Sequence, residues 1–193
     1  MERTDTKNLL ELMERVMLLV HSEERAATRD PKFREVHLLA LKYLGRCNRY
    51  SNTPSALGLY LGMTKGTVSQ SVKVLEDRGL VEKYTDEADG RVIRLRLTQR
   101  GNTFVRKKLP SDALEATLLG EMTDRERDQL GSLLLKALRT IQSNTDGFVF
   151  GVCRTCRHFK ERGLGTRHQC GLTGEPLLEV ESSQICREHE LAT

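Results

Sequence analysis

No uninterrupted apolar run in the 193 residues approaches the ~20 that a membrane-spanning helix needs, so no membrane partner is expected. The chain opens MERTDTKNLL, polar and charged before its apolar positions begin, and a cytoplasmic protein without a signal peptide is expected. Internal repeats and low-complexity tracts are missing as well. In a reducing compartment the five cysteines read as thiols or metal ligands rather than disulfides. No acid/base pair or nucleophile–base arrangement stands out, so the chain is not expected to be an enzyme. Its length suits one good core with a small appendage.

The formal net charge of +4 says little, but its placement says more. Thr64 to Lys108 holds eleven basic and six acidic residues, a net of +5, which leaves −1 for all the rest. That stretch overlaps the most informative segment, Thr53 to Gly101. Thr53-Pro54 has the form of an N-cap followed by proline at the first helical position. Leu57 and Leu61 give this helix an apolar side, and Gly62 is a stop. Thr64 caps a second helix, in which Val68, Val72 and Leu75 share one face. Gly66, Gln70 and Lys73 point the opposite way, with Thr67 and Ser69 on the flanks. Gly79 closes the helix, VEKY and VIRLRL alternate as strands, and Asp86 to Gly90 form the turn between them. A helix-turn-helix followed by a hairpin wing results, with a small, polar, basic face suited to a DNA major groove.

Several elements of this segment, in order and spacing, resemble the winged-helix core of MarR-type transcriptional regulators. They are Leu61-Gly62, Val68-Ser69, LEDRGLVEK from Leu75 to Lys83, the D-x-R of Asp89 and Arg91, and LTQRG from Leu97. With its flanking helices the resemblance covers residues 5 to 145, and the last forty-odd residues fall outside it. It implies a regulator, a repressor by preference, acting as a homodimer on a pseudo-palindromic operator in double-stranded DNA. It also implies that Asp89 holds Arg91 in place. Chemistry assigns the other roles. Gln70 can offer a bidentate amide to adenine, and Thr67 and Ser69 can contact bases or phosphates. Lys65 and Lys73 can bond guanine edges or anchor phosphate. Arg91 is the wing-tip residue for the minor groove, and Arg94 is expected to reach phosphate.

Residues 5–27 read as a first helix with an apolar stripe of Leu9, Leu12, Met13, Val16, Leu19 and Val20, which needs a partner surface. Asp30 and Pro31 restart the chain as N-cap and first helical residue, opening a helix from Phe33 to about Arg46. Within it His37 is expected to be a packed histidine, and Cys47 near its end a buried thiol. Thr98 caps a helix that Pro110 breaks. After another helical stretch over 112–121, Thr123 and Glu126 have capping-box spacing and open a helix through Leu130, Leu133, Leu134, Ala137, Leu138 and Ile141. Its stripe pairs naturally with the first helix. Residues 143–147 read as a linker.

The composition changes at Phe148. Cys153 and Cys156 form a CxxC, followed by Cys170 and Cys186. A CxxC sets two thiolates on one tight turn, and two distant cysteines complete a tetrahedral set. With little apolar material for a core, bound metal would supply the folding energy. His158, His168 and His189 are read as surface or supporting groups rather than ligands. Zinc, a 4Fe–4S cluster and a metal-free dithiol remain open, zinc first. The effector is a small ligand or an event at the cysteines.

The expected fold class is therefore mainly α with a small β wing (α+β), a winged helix-turn-helix with flanking dimerisation helices and a small Cys-rich C-terminal module. Residues 1–29 form the N-terminal dimerisation helix, 30–101 the DNA-binding domain, 102–147 the C-terminal dimerisation helices and linker, and 148–193 the metal-binding tail. The rival readings are a redox- or metal-dependent enzyme, or a protein-interaction module, using the tail.

Overall fold

A computed structural model of the chain describes residues 6–28, 30, 33–109, 112–144, 149–165 and 167–191. The expectations placed on Pro31, Pro110 and residues 145–148 lie outside them. Among the described residues, helix α1 spans Thr6–Thr28, α2 Glu35–Leu44, α3 Pro54–Leu61 and α4 Lys65–Asp77. Strands β1 (Val81–Thr85) and β2 (Ile93–Leu97) follow, then α5 (Gln99–Lys108), α6 (Asp112–Leu119) and α7 (Asp124–Ser143).

The caps behave as side-chain chemistry dictates. The hydroxyl oxygens of Thr53, Thr64, Thr98 and Thr123 each accept the backbone N–H three residues on, at 3.2, 3.3, 3.0 and 3.4 Å. Glu126 returns the bond to the Thr123 N–H at 2.8 Å, completing a capping box. Between α3 and α4, Gly62 takes φ +63°, a left-handed conformation that glycine adopts without a Cβ penalty.

Helix α2 starts later than its hydrophobic pattern suggests. Arg34 is the extended N-cap residue, and its N–H donates to His37 Nδ1 at 3.2 Å. Phe33 stays outside the helix, stacked on Phe104 at 5.2 Å with the Arg78 guanidinium 4.3 Å over its ring. Asp30, expected as a cap, accepts from Arg78 Nη1 at 2.6 Å, a charge-assisted bond to the residue that follows α4. His37 is buried as expected, and burial holds its pKa below the ordinary value.

The core lies between α2, α3, α4 and the wing. Leu38, Leu41, Tyr43, Leu57, Val72, Leu75, Val81 and Leu95 are among its fully buried members. The wing is antiparallel, pairing Val81 with Leu97 and Thr85 with Ile93. Helix α5 meets the wing so closely that a Cβ on Gly101 would stand 2.0 Å from the Leu80 carbonyl oxygen. Backbone cannot yield there as a side chain can. Gly101→Ala should lower stability by about 3 kcal/mol, seen as a fall in melting temperature of roughly 6–12 °C by circular dichroism.

Helix α1 is tied to α2 by a buried Glu24 carboxylate that accepts from Lys42 Nζ at 2.6 Å. Its other turns leave Leu9, Leu12, Val16 and Leu19 uncovered. No described residue of α7 is buried, and Leu133, Leu134, Leu138 and Ile141 face outward. These stripes match their expected positions but find no cover within one chain.

The C-terminal segment is built of short pieces. Strand β3 (Gly151–Val152) pairs with β7 (Ile185–Cys186), and β4 (Phe159–Leu164), β5 (Arg167–Cys170) and β6 (Pro176–Leu177) form a second small sheet. It does not stand apart for want of apolar material. Phe150 and Ile185 enter the main core, with Phe150 edge-on to Tyr60 at 5.1 Å and to Tyr43 at 6.3 Å. The segment thus borrows the winged helix's core, an arrangement that local composition does not reveal.

Candidate nucleic-acid interface and thiol cavity

Helix α4 buries Val68, Ser71, Val72 and Leu75, which turns the rest of its surface outward. Lys65, Thr67, Ser69, Gln70 and Lys73 are all exposed. Among the described residues, the side chains of Lys65, Ser69, Gln70 and Lys73 have no hydrogen-bond or ion-pair partner, so they are available to an outside ligand. Thr67 Oγ1 lies 3.0 Å from Thr64 Oγ1, within the cap. An open cleft of about 820 Å³ separates this helix from the wing and is lined by Lys65, Ser69, Lys83 and Arg91. The recognition helix and the wing tip therefore share one side of the molecule.

At the tip, Arg91 Nε and Nη2 donate to the two oxygens of Asp89, each at 3.0 Å, and its backbone N–H donates to Asp89 Oδ1 at 3.0 Å. This fork holds an arginine side chain that is 90 % exposed. The guanidinium beside Asp89 keeps its carboxyl below the ordinary carboxylate range. Arg91 is thus a preoriented cation projecting from the turn.

Arg94 is placed differently from its expected phosphate-binding role. Its guanidinium is turned inward, pairing with Asp86 and donating to the Arg49 carbonyl and, at 2.9 Å, to Asn52 Oδ1. Asp86 in the wing turn and two acceptors of the α2–α3 loop hold it between them. Arg96 donates to Glu82, its cross-strand partner, at 2.7 Å and covers the Tyr84 ring.

The four C-terminal cysteines come together. Cys153, Cys156, Cys170 and Cys186 line one cavity of about 220 Å³, with Phe159, Leu172 and Leu177 among its apolar walls. All five cysteines are free thiols. Among the described residues, no three histidine, cysteine or acidic side chains converge closely enough to grip a single ion. Instead the thiols surround a space. Cys153 Sγ accepts from Asn48 Nδ2 at 3.4 Å, and Cys156 Sγ from the Glu190 N–H at 3.5 Å. The hydrogen bond shared by Cys153 and Cys186 holds Cys186 low and Cys153 high. Cys47 lies outside the set, and burial pushes its pKa up to about 12, which makes it a poor thiolate.

The histidines support the segment. His168 is buried, 2.7 Å from Glu179, and His158 stands 3.0 Å from Glu190. His189 is buried with Nε2 3.0 Å from Thr155 Oγ1.

Sequence reasoning missed Asn48, which is 1 % exposed. Its Oδ1 accepts from Ser51 Oγ at 2.7 Å and from the Tyr50 N–H at 3.1 Å. Its Nδ2 reaches a sulfur 105 residues away. Only an asparagine in a polar loop hinted at it, and such a loop has no periodicity to read.

The helix-turn-helix, the antiparallel wing and the exposed polar helix face define a winged-helix protein. Its central segment, residues 36–92, matches the MarR family. Over 118 residues the chain is 32% identical to the transcriptional repressor MprA of Escherichia coli. That span covers 60% of this chain and 66% of MprA, just under two thirds of the relative's length. Streptococcus pneumoniae FabT in complex with DNA has the same fold, with a TM-score of 0.58 at 21% identity over 73% of this chain and 100% of that one. A MarR transcriptional regulator from Methanosarcina mazei Go1 reaches a TM-score of 0.63 at 18% identity, covering 72% of this chain and 100% of the other. No helix among the described residues is long and apolar enough to cross a membrane.

Proposed function

We propose that the chain is a sequence-specific transcriptional regulator of the cytoplasm, a repressor that binds a pseudo-palindromic operator in double-stranded DNA as a homodimer. It is not an enzyme in this reading, in keeping with relatives that are regulators. A metal centre at Cys153, Cys156, Cys170 and Cys186 completes it, and a small ligand or the state of that centre acts as effector. The observation that carries the proposal is the shared face of α4 and the wing tip, where unpartnered polar groups stand beside the oriented Arg91.

Two features support the dimer. Apolar stripes on α1 and α7 lie open in one protomer, and covering a leucine side chain is worth roughly 1.5–3 kcal/mol. Two-fold symmetry would also present two recognition helices to successive major grooves.

Fluorescence anisotropy with labelled duplex tests the proposal. If six or more phosphates are neutralised per dimer, affinity falls by about 10³-fold or more between 50 and 200 mM salt. Absence of binding to any duplex at low salt would remove the DNA reading. Once an operator is selected, Gln70→Ala should relax the preference at one base pair in each half-site, by about 1–3 kcal/mol. Lys73→Ala should instead weaken all sequences alike and flatten the salt slope if Lys73 serves phosphate. Competition titrations with single-base operator variants separate these outcomes.

A further inference from the structure

We infer that the thiol cavity holds a 4Fe–4S cluster and that the α2–α3 loop carries the cavity's occupancy to the wing. The inference rests on the DNA-binding reading and on the metal centre proposed with it, and it goes further in naming the cofactor and the route of control.

The cavity argues for a cluster over a single ion. A closed zinc site brings four thiolates to about 2.3 Å from one ion, leaving no space between them. Here the four thiols line one cavity of about 220 Å³ together with Asn48, Tyr50, Phe159 and Leu177, and among the described residues no three of the thiols converge on a point that a single ion could occupy. A cubane with one cysteine per iron needs ligands arranged around a body, each from its own direction. Cys153 opens a short helical turn, Cys156 follows it, Cys170 ends β5 and Cys186 ends β7. Apolar walls and N–H donors to the Cys153 and Cys156 sulfurs are the surroundings by which proteins hold and tune such clusters. Loading exchanges a cluster's previous ligands for four cysteine thiolates. Each thiol gives its proton to solvent, and no electron is transferred.

The loop argues for the coupling. Strand β7, which carries Cys186, is hydrogen-bonded to the loop along the edge not paired with β3, through both the N–H and the C=O of Ile185. The Ile185 N–H donates to the Arg46 carbonyl at 2.8 Å, and the Asn48 N–H to the Ile185 carbonyl at 2.9 Å. The Arg187 N–H donates to Ser51 Oγ at 2.9 Å. Asn48 joins Cys153 to Ser51 within the same loop. Four residues beyond Asn48, Asn52 is bound to the wing. Its carbonyl accepts from the Leu95 N–H at 2.7 Å, its Oδ1 from Arg94, and its Nδ2 donates to the Tyr84 hydroxyl at 3.0 Å. Thr53, the next residue, caps α3. One short loop therefore touches the thiol cavity at one end, and the wing and helix-turn-helix at the other. A filled cavity would fix Cys153 and Cys186 and, through these bonds, the loop arrangement described, so DNA that requires that arrangement binds the loaded form more tightly.

Anaerobic transfer of a preformed 4Fe–4S cluster from a small-thiolate complex tests this. The loaded protein is expected to be brown, with about four irons and four sulfides per chain. Colourless protein that takes up one zinc and no cluster overturns the assignment, as does retention of the cluster by Cys170→Ser. Loaded protein is expected to bind operator about 10- to 100-fold more tightly than apoprotein, the usual span of coupled sites. Equal affinity of the two forms overturns the coupling while leaving DNA binding intact. If neither form binds DNA, the regulator reading fails, and the iron and sulfide analysis still decides the cofactor. At the other end of the loop, away from the cavity, Asn52→Ala should keep the visible absorbance but shrink the difference between loaded and apo forms. Absorbance retained with the full difference in this variant removes the loop from the route.

Discussion

Glutamate at both Leu133 and Ile141 should convert the proposed dimer to a monomer and reduce operator affinity by about 10³-fold or more. The two side chains lie on one face of α7, eight residues apart, and are 66 % and 62 % exposed in a single protomer. They contribute little to that protomer's own core, so the monomer should keep its helical circular dichroism. In the dimer the substitutions would set four carboxylates against an apolar surface, and each would have to be desolvated, protonated or expelled. Losing the interface separates the half-sites. A single recognition helix and wing then bind without the high effective concentration that a second, linked reader supplies. Sedimentation equilibrium measures the assembly and anisotropy the affinity. A variant that stays dimeric would show that α7 is not the interface, and a wild-type monomer that binds operator tightly would remove the need for one.

Arg91→Ala should weaken operator binding about 100-fold, two wings each losing roughly 1.5 kcal/mol of charge-assisted bonding. The side chain is almost wholly exposed and touches only the turn that carries it, so stability should change by no more than about 0.5 kcal/mol. The wing is otherwise unaltered, because Asp86 accepts from the Ala88 and Asp89 N–H groups at 2.9 Å. Asp89→Ala separates orientation from charge. It frees the guanidinium without removing it, so nonspecific attraction should hold or rise while discrimination between operator and random duplex falls. An Arg91→Ala protein with wild-type affinity and salt slope would place the wing outside the interface.

Much of the framework was readable from local chemistry. Thr53, Thr64, Thr98 and Thr123 announce helix starts because a cap involves only residues three apart. The faces of α4 and α7 follow from spacing, and the Asp89–Arg91 fork spans two residues. What stayed hidden depends on distant partners. Phe33 lies outside α2 with Phe104 stacked on it, and Asp30 pairs with Arg78, both partners coming from elsewhere in the chain. Arg94 looks like any wing cation until Asn52 and the Arg49 carbonyl are seen beside it. The cysteine spacing suggested one shared site, but not that Phe150 and Ile185 would seat it on the main core, nor that Asn48 would join it.

Hydroxyl-radical footprinting of the protein on a selected operator reads groove and spacing together. Two protected half-sites with centres about 10 base pairs apart, each with protection in an adjoining minor groove that Arg91→Ala abolishes, are the predicted pattern. A single half-site with no symmetry mate, or protection indifferent to Arg91, would contradict recognition by paired helices and wings.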